Sequence, residues 1–145
     1  MRIAIGCDHA GYNLRTLVQQ YLWENNIEFD DCGCFGEVCD YADIAKLVCK
    51  RVQEKRDDFG ILICGTGIGM CMSANKMKGI RAALCTDVYS AKCTRAHNDA
   101  NVLCLGARVL GAGMTREILD VFFNTAFEGG RHVVRIKKMM ELESK

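Results

Sequence analysis

The chain has 145 residues, 50% of them hydrophobic and 26% charged, with a formal net charge of +1. A chain of that length fits one domain, residues 1–145, burying roughly 70% of its unfolded surface without staples. The even charge balance removes the electrostatic argument for a nucleic-acid partner or an anionic membrane.

No apolar run approaches the ~18 to 20 residues that span a bilayer, and the start MRIAIGCDHAG turns polar too early for a signal peptide, so a cytoplasmic protein is expected. The ten cysteines sit mostly in apolar stretches, as Cys64, Cys85 and Cys104 do, where a reduced thiol packs as a small hydrophobe. A reducing compartment follows. With no proline in the chain, turns fall to Gly, Asn and Asp.

Short apolar runs alternate with longer amphipathic ones, the pattern of β-α units building a parallel sheet covered on both faces. The expected strands run Arg2 to Gly6, Ile27 to Cys32, Phe59 to Cys64, Ile80 to Cys85 and Asn101 to Leu105. A first helix is read from Leu14, Leu17, Val18, Tyr21 and Leu22, which share one helical face, and a second from Tyr41, Ile44, Ala45, Val48 and Val52. Further helices fit Gly69 to Met77, Val88 to His97, Met114 to Phe127, and a C-terminal one from Arg131 to Leu142. The expected fold is a three-layer α/β, doubly wound, Rossmann-like unit with a five-stranded parallel sheet in the order 2-1-3-4-5.

In that order ligands bind between strands 1 and 3, beyond their carboxyl ends. Cys7, Asp8 and His9 follow strand 1, and Cys64-Gly-Thr-Gly-Ile-Gly69 follows strand 3. The second segment passes from a strand into a helix with glycines at alternate positions, so the backbone can approach a ligand closely and aim amides at negative charge. The same amides favour a thiolate at the loop's edge, Cys64. The plainer reading is a tight turn with a buried structural cysteine. The spacing is neither G-x-G-x-x-G nor a P-loop, and no arginine stands six positions after Cys64 or Cys7 as a cysteine phosphatase requires.

Arg131 and Arg135 lie at i and i+4 at the start of the last helix, where cations oppose the helix dipole unless an anion sits between them. A solvated basic face is the alternative. His132, between them, points elsewhere. His97 closes the fourth helix, a position that suits a C-terminal cap as well as a chemical role. Cys32, Cys34 and Cys39 cluster, but there is no C-x-x-C pair, and Cys93 with His97 is a lone couple. No metal and no cofactor are expected.

Gly6-Cys-Asp-His-Ala-Gly11, Cys64-Gly-Thr-Gly-Ile-Gly-Met70, Ala74-Asn-Lys76, Gly79-Ile-Arg-Ala-Ala83, His97-Asn-Asp-Ala-Asn-Val102 and Gly129-Gly-Arg-His-Val-Val-Arg135 together resemble the ribose-5-phosphate isomerase B family, in order and over nearly the whole chain. Tyr41-Ala42 and Met77-Lys78 stand where that family usually has proline in second place. The resemblance implies metal-independent interconversion of D-ribose 5-phosphate and D-ribulose 5-phosphate, a step of the pentose phosphate pathway, through an enediolate. It makes Cys64 the proton-transferring base. Some members use a glutamate where this chain has Met70, which takes no proton.

The resemblance places Gly65, Gly67, Ile68 and Gly69 around the enediolate, with Thr66 near the sugar oxygens. It ties Asp8 and His97 to ring binding and opening, and His9, Arg108, Arg131 and Arg135 to the phosphate. Asn98 would bind a sugar hydroxyl, and Tyr41 would line the pocket. It also implies a homodimer or tetramer whose active site is shared, the His97 segment and the arginines coming from a neighbouring subunit. With strand 5 and the last helix on the far side of the sheet from strand 1, the arginines would struggle to reach their own chain's His9 and Cys64. The alternatives are an allose- or galactose-6-phosphate isomerase, or a non-catalytic sugar-phosphate-binding domain.

Overall fold

The computed structural model describes residues 1–35 and 37–144. Strand β1 (Arg2–Cys7) leads through a 3-10 turn at His9–Gly11 into α1 (Tyr12–Glu24), and β2 (Glu28–Asp31) precedes α2 (Tyr41–Gln53). Next come β3 (Phe59–Cys64), α3 (Ile68–Ala74), β4 (Ala82–Leu84) and α4 (Val88–Ala96). The chain closes with β5 (Val102–Gly106), α5 (Ala112–Asn124), α6 (Arg131–Met140) and a 3-10 turn at Glu141–Ser144.

All strand pairs are parallel, with β1 between β2 and β3. The sheet order is β2-β1-β3-β5-β4. The doubly wound parallel fold and its switch point between β1 and β3 are thus as expected, but the outer two strands exchange places relative to 2-1-3-4-5. Composition explains the exchange. Val102-Leu-Cys-Leu-Gly106 is wholly buried and suits a strand with neighbours on both sides, whereas Ala82-Ala-Leu84 is short and half-exposed, as edge strands are. In place of a longer β4, the Asn75 side chain clamps its start: Oδ1 accepts from the Ala82 N–H at 2.9 Å and Nδ2 donates to the Ala82 carbonyl at 2.8 Å.

Alternation along the strands feeds two cores. Ile3, Ile5, Ile61, Ile63, Leu103 and Leu105 face α1 and α5, where they meet Val18, Leu22, Ile118, Leu119 and Phe122. Ala4, Leu62, Cys64, Val102 and Cys104 face α2 and α3, where they meet Ile44, Val48, Cys49 and Met70. The β-α connections after β1 and β3 therefore emerge from a rigid, dry platform. Helix α6 differs: His132 is its one buried residue, while Val133 and Val134 are exposed. The ten cysteines are free thiols, and no helix of the described residues is long and apolar enough to cross a membrane.

Candidate active site

Cys64 ends β3 almost buried, at 5% exposure, and its Sγ accepts the Gly67 N–H at 3.1 Å. That bond requires a sharp reversal at Gly67, which sits at φ 79°, a left-handed conformation that a residue with a β-carbon resists. A β-carbon there would also lie 2.5 Å from Leu84 Cδ1. Glycine is needed twice over, for the turn and for the space, and what it provides is an amide aimed at the thiol. The Thr66 hydroxyl accepts the Ile68 N–H at 3.3 Å, which leaves Thr66 and Ile68 exposed on the rim.

Because β5 rather than β4 neighbours β3, the turn after β5 clips onto this loop. The Ala107 N–H donates to the Cys64 carbonyl at 2.8 Å and the Arg108 N–H to the Gly65 carbonyl at 2.9 Å. The Arg108 side chain then lies over Gly65, with Nη1 3.3 Å from where a β-carbon of that glycine would stand. From the other side, the ring of Tyr41, first residue of α2, covers Gly69 at 3.0 Å from its β-carbon position.

Asp8 follows β1, and its own N–H donates to the Ile63 carbonyl at 3.1 Å, which fixes it beside the end of β3. Its Oδ1 caps the following turn, accepting the Ala10 N–H at 2.9 Å and the Gly11 N–H at 3.1 Å. His9 is exposed next to it, with the Cys39 thiol near its backbone. Burial first, and the neighbouring Cys34 thiol second, push Cys39 up to about 12, so Cys39 is an uncharged wall of the site. Asp8, His9, Tyr41, Cys64, Thr66, Gly65, Gly67, Ile68, Gly69 and Arg108 therefore converge at the carboxyl ends of β1, β3 and β5.

His97, Asn98, Arg131 and Arg135 do not. Helix α4 runs back against the strand direction, so His97, its C-terminal cap, reaches the amino edge of the sheet. Four rises of ~3.3 Å along β5, from Val102 to Gly106, separate that edge from the level of Cys64, about 13 Å along the strand. The expected separation of the arginines from Cys64 is thus present, but it runs along the strands; it does not arise from strand 5 lying far across the sheet. The Glu128 N–H donates to the Ala96 carbonyl at 3.0 Å and pins the start of α6 beside the end of α4. His97, Asn98, His132 and Arg135 line a cleft of about 330 Å³ there, and Arg131 stands exposed one turn away. Neither arginine has an ion-pair partner among the described residues. A larger groove, about 860 Å³ between β4 and the C-terminal helix, holds only Asn98 of the candidate residues.

His132 and Glu128 are additions to the sequence reading. His132 does point away from the arginine face, and it lands on His97: the rings stack with centroids 4.3 Å apart and planes 10° from parallel. Burial, then the His97 and Arg131 charges, hold the His132 pKa below its usual value. The Glu128 carboxylate sits 3.7 Å from His97 Nε2 and 3.6 Å from His132 Nε2. The i, i+4 spacing of Glu128 and His132 across the Gly129-Gly130 turn was the available signal.

Comparison with known proteins places these features in a family. The profile of the Ribose/Galactose Isomerase family matches residues 3–139. The chain is 45% identical over 146 residues to ribose-5-P isomerase B of Listeria innocua, covering all of this chain and 99% of that protein. The structure of ribose-5-phosphate isomerase B from Clostridium thermocellum superposes with a TM-score of 0.97 at 44% identity, covering 99% of this chain and 98% of that one. That of the Mycoplasma genitalium ribose-5-phosphate isomerase B with bound ribulose-5-phosphate gives 0.93 at 41% identity, covering 99% and 97%.

Proposed function

Because the chain belongs to the ribose/galactose isomerase family, we propose that it is an isomerase of D-ribose 5-phosphate and D-ribulose 5-phosphate that works without a metal, as a cytoplasmic enzyme of pentose phosphate metabolism. The observation that carries the mechanism is the Gly67 N–H bonded to Cys64 Sγ: one loop offers a base and, beside it, backbone donors for a developing oxyanion. Cys64, as thiolate, takes the proton from C2 of the open-chain aldose while the C1 carbonyl becomes an enediolate oxygen. Returning that proton to C1, with the hydroxyl proton passing from O2 to O1, completes the ketose. Met70, fully buried on the same loop side, offers no competing proton acceptor.

Amides of Gly65 to Gly69 face the enediolate, and Thr66 lies near the sugar oxygens. Tyr41 closes one wall. Asp8 and His97 serve ring binding and opening, which takes a proton from one sugar oxygen and delivers one to another. Asn98 takes a sugar hydroxyl, and His9, Arg108, Arg131 and Arg135 hold the phosphate, whose binding energy fixes the small sugar.

The two residue groups lie at opposite ends of the strands of one chain, about 13 Å apart along β5, so the complete site takes His97, Asn98, Arg131 and Arg135 from a second copy. A two-fold partner satisfies both sites at once, and the exposed Val133 and Val134 of α6 supply apolar surface for the contact. The direct test is a coupled assay offering ribose 5-phosphate, allose 6-phosphate and galactose 6-phosphate with EDTA present. Preference for ribose 5-phosphate at full rate is expected; no turnover of it, or a requirement for added metal, overturns the assignment.

A further inference from the structure

Outside the loop chemistry lies one cluster of metal-ligating side chains among the described residues: His97, Glu128 and His132, whose ligand atoms all fall within 4.8 Å of one another. The Glu128 oxygen stands 3.7 and 3.6 Å from the two Nε2 atoms. These separations exceed the ~2.7 to 3.2 Å of an N–H···O bond. They lie close to the ligand-to-ligand edge of about 3.3 Å that a tetrahedral ion with ~2.05 Å bonds imposes. Both Nε2 atoms lie near the same carboxylate, but the two imidazole rings are stacked nearly parallel with their in-plane lone pairs side by side, so an ion that takes all three donors must open the stack by turning the rings toward it.

We propose that His97, Glu128 and His132 form a facultative site for a borderline divalent cation of the zinc class, distinct from any requirement of the isomerase reaction. Two neutral imidazoles and one carboxylate are the donor set such ions prefer, with a fourth position left open to water. The guanidinium groups of Arg131 and Arg135 bear on His132 and oppose a cation, so affinity falls below that of an isolated three-donor site and an anionic fourth ligand is favoured. An ion seated here occupies His97. Resting on the function proposed above, it follows that the occupied site is an inhibited enzyme, which metal chelation restores.

The ten thiols are the competing ligands, so the test must separate nitrogen and oxygen donors from sulfur. Co²⁺ titrated into the EDTA-stripped, dialysed protein is expected to bind once per chain with visible d–d bands and no thiolate charge-transfer band. Zn²⁺ is expected to displace it. Glu128→Gln and His132→Asn, each checked for folding by circular dichroism, should weaken Co²⁺ binding by more than the roughly 10- to 100-fold that loss of an outer-shell partner costs, while Cys39→Ser leaves it unchanged. A dominant thiolate band, or unaltered affinity in folded Glu128→Gln, overturns the site. Zn²⁺ should inhibit the parent isomerase reversibly while Glu128→Gln resists inhibition relative to its own metal-free rate. Binding lost in both variants without inhibition of the parent enzyme would uphold the metal site and refute the role of His97 in isomerisation.

Discussion

Mixing two inactive variants tests the shared site quantitatively. Cys64→Ala removes the base at the carboxyl end of β3, and Arg131→Ala removes a phosphate ligand at the amino edge, about 13 Å away along β5. If each site draws the two residues from different chains, a mixed dimer contains one doubly damaged site and one intact site. Random pairing of equal amounts makes roughly half of the dimers mixed, so about one quarter of all sites regain full function. The parents form a low background, since loss of a general base costs ~10²-fold or more. Arg131→Ala is assayed at substrate well below KM so that weakened binding reads as lost rate. Differently tagged chains are refolded together, the mixed species is confirmed by sequential affinity capture, and isomerisation of ribose 5-phosphate is followed in the coupled assay. A confirmed mixture no more active than the average of its parents refutes sharing, as does full activity in a monomer.

Cys64→Ala by itself should reduce kcat by about 10²-fold or more while the midpoint of thermal unfolding stays close to that of the parent; retention of more than a few per cent of the rate would remove Cys64 from the chemistry. Arg131→Ala and Arg135→Ala should each raise KM by about 10- to 100-fold, the equivalent of one charge-assisted hydrogen bond of ~1.5 to 3 kcal/mol; an unchanged KM makes the pair a solvated face. Among the other thiols, Cys71 is held down to about 7, chiefly by its hydrogen bond with the Cys104 thiol, and it is half-exposed, whereas burial pushes Cys49 and Cys85 up to about 12. Alkylation of Cys71 by iodoacetamide, read by peptide mass spectrometry, should therefore rise through pH 7 as the thiolate forms, with Cys49 and Cys85 unmodified; equal labelling of the three would show that this thiol pair does not depress Cys71.

The sequence by itself determined the elements and the chemistry-bearing loops. Apolar runs such as Phe59–Cys64 and helical stripes such as Leu14, Val18, Tyr21 and Leu22 are local periodicities that burial in a two-faced sheet obeys, so they are legible without contacts. The Cys64 to Gly69 loop was legible for the same reason: left-handed turns and close approach restrict residue type at the position itself. Element ends were less so, because Asn75 pairs the approach to β4 through its side chain and Thr125 turns extended and stops α5 three residues short of Phe127.

Only the tertiary structure decided which strand lies beside β3. Both β4 and β5 are apolar and of strand length, and the choice falls to the one that stays dry on both faces. That choice brings Arg108 over Gly65, a contact between residues 43 positions apart that no periodicity encodes. The His97–His132 stack and its Glu128 neighbour are of the same kind. They exist because α4 runs back to the amino edge and the Glu128 N–H fastens the next helix there, and a pairing that depends on where two helices end in space leaves no repeat along the chain.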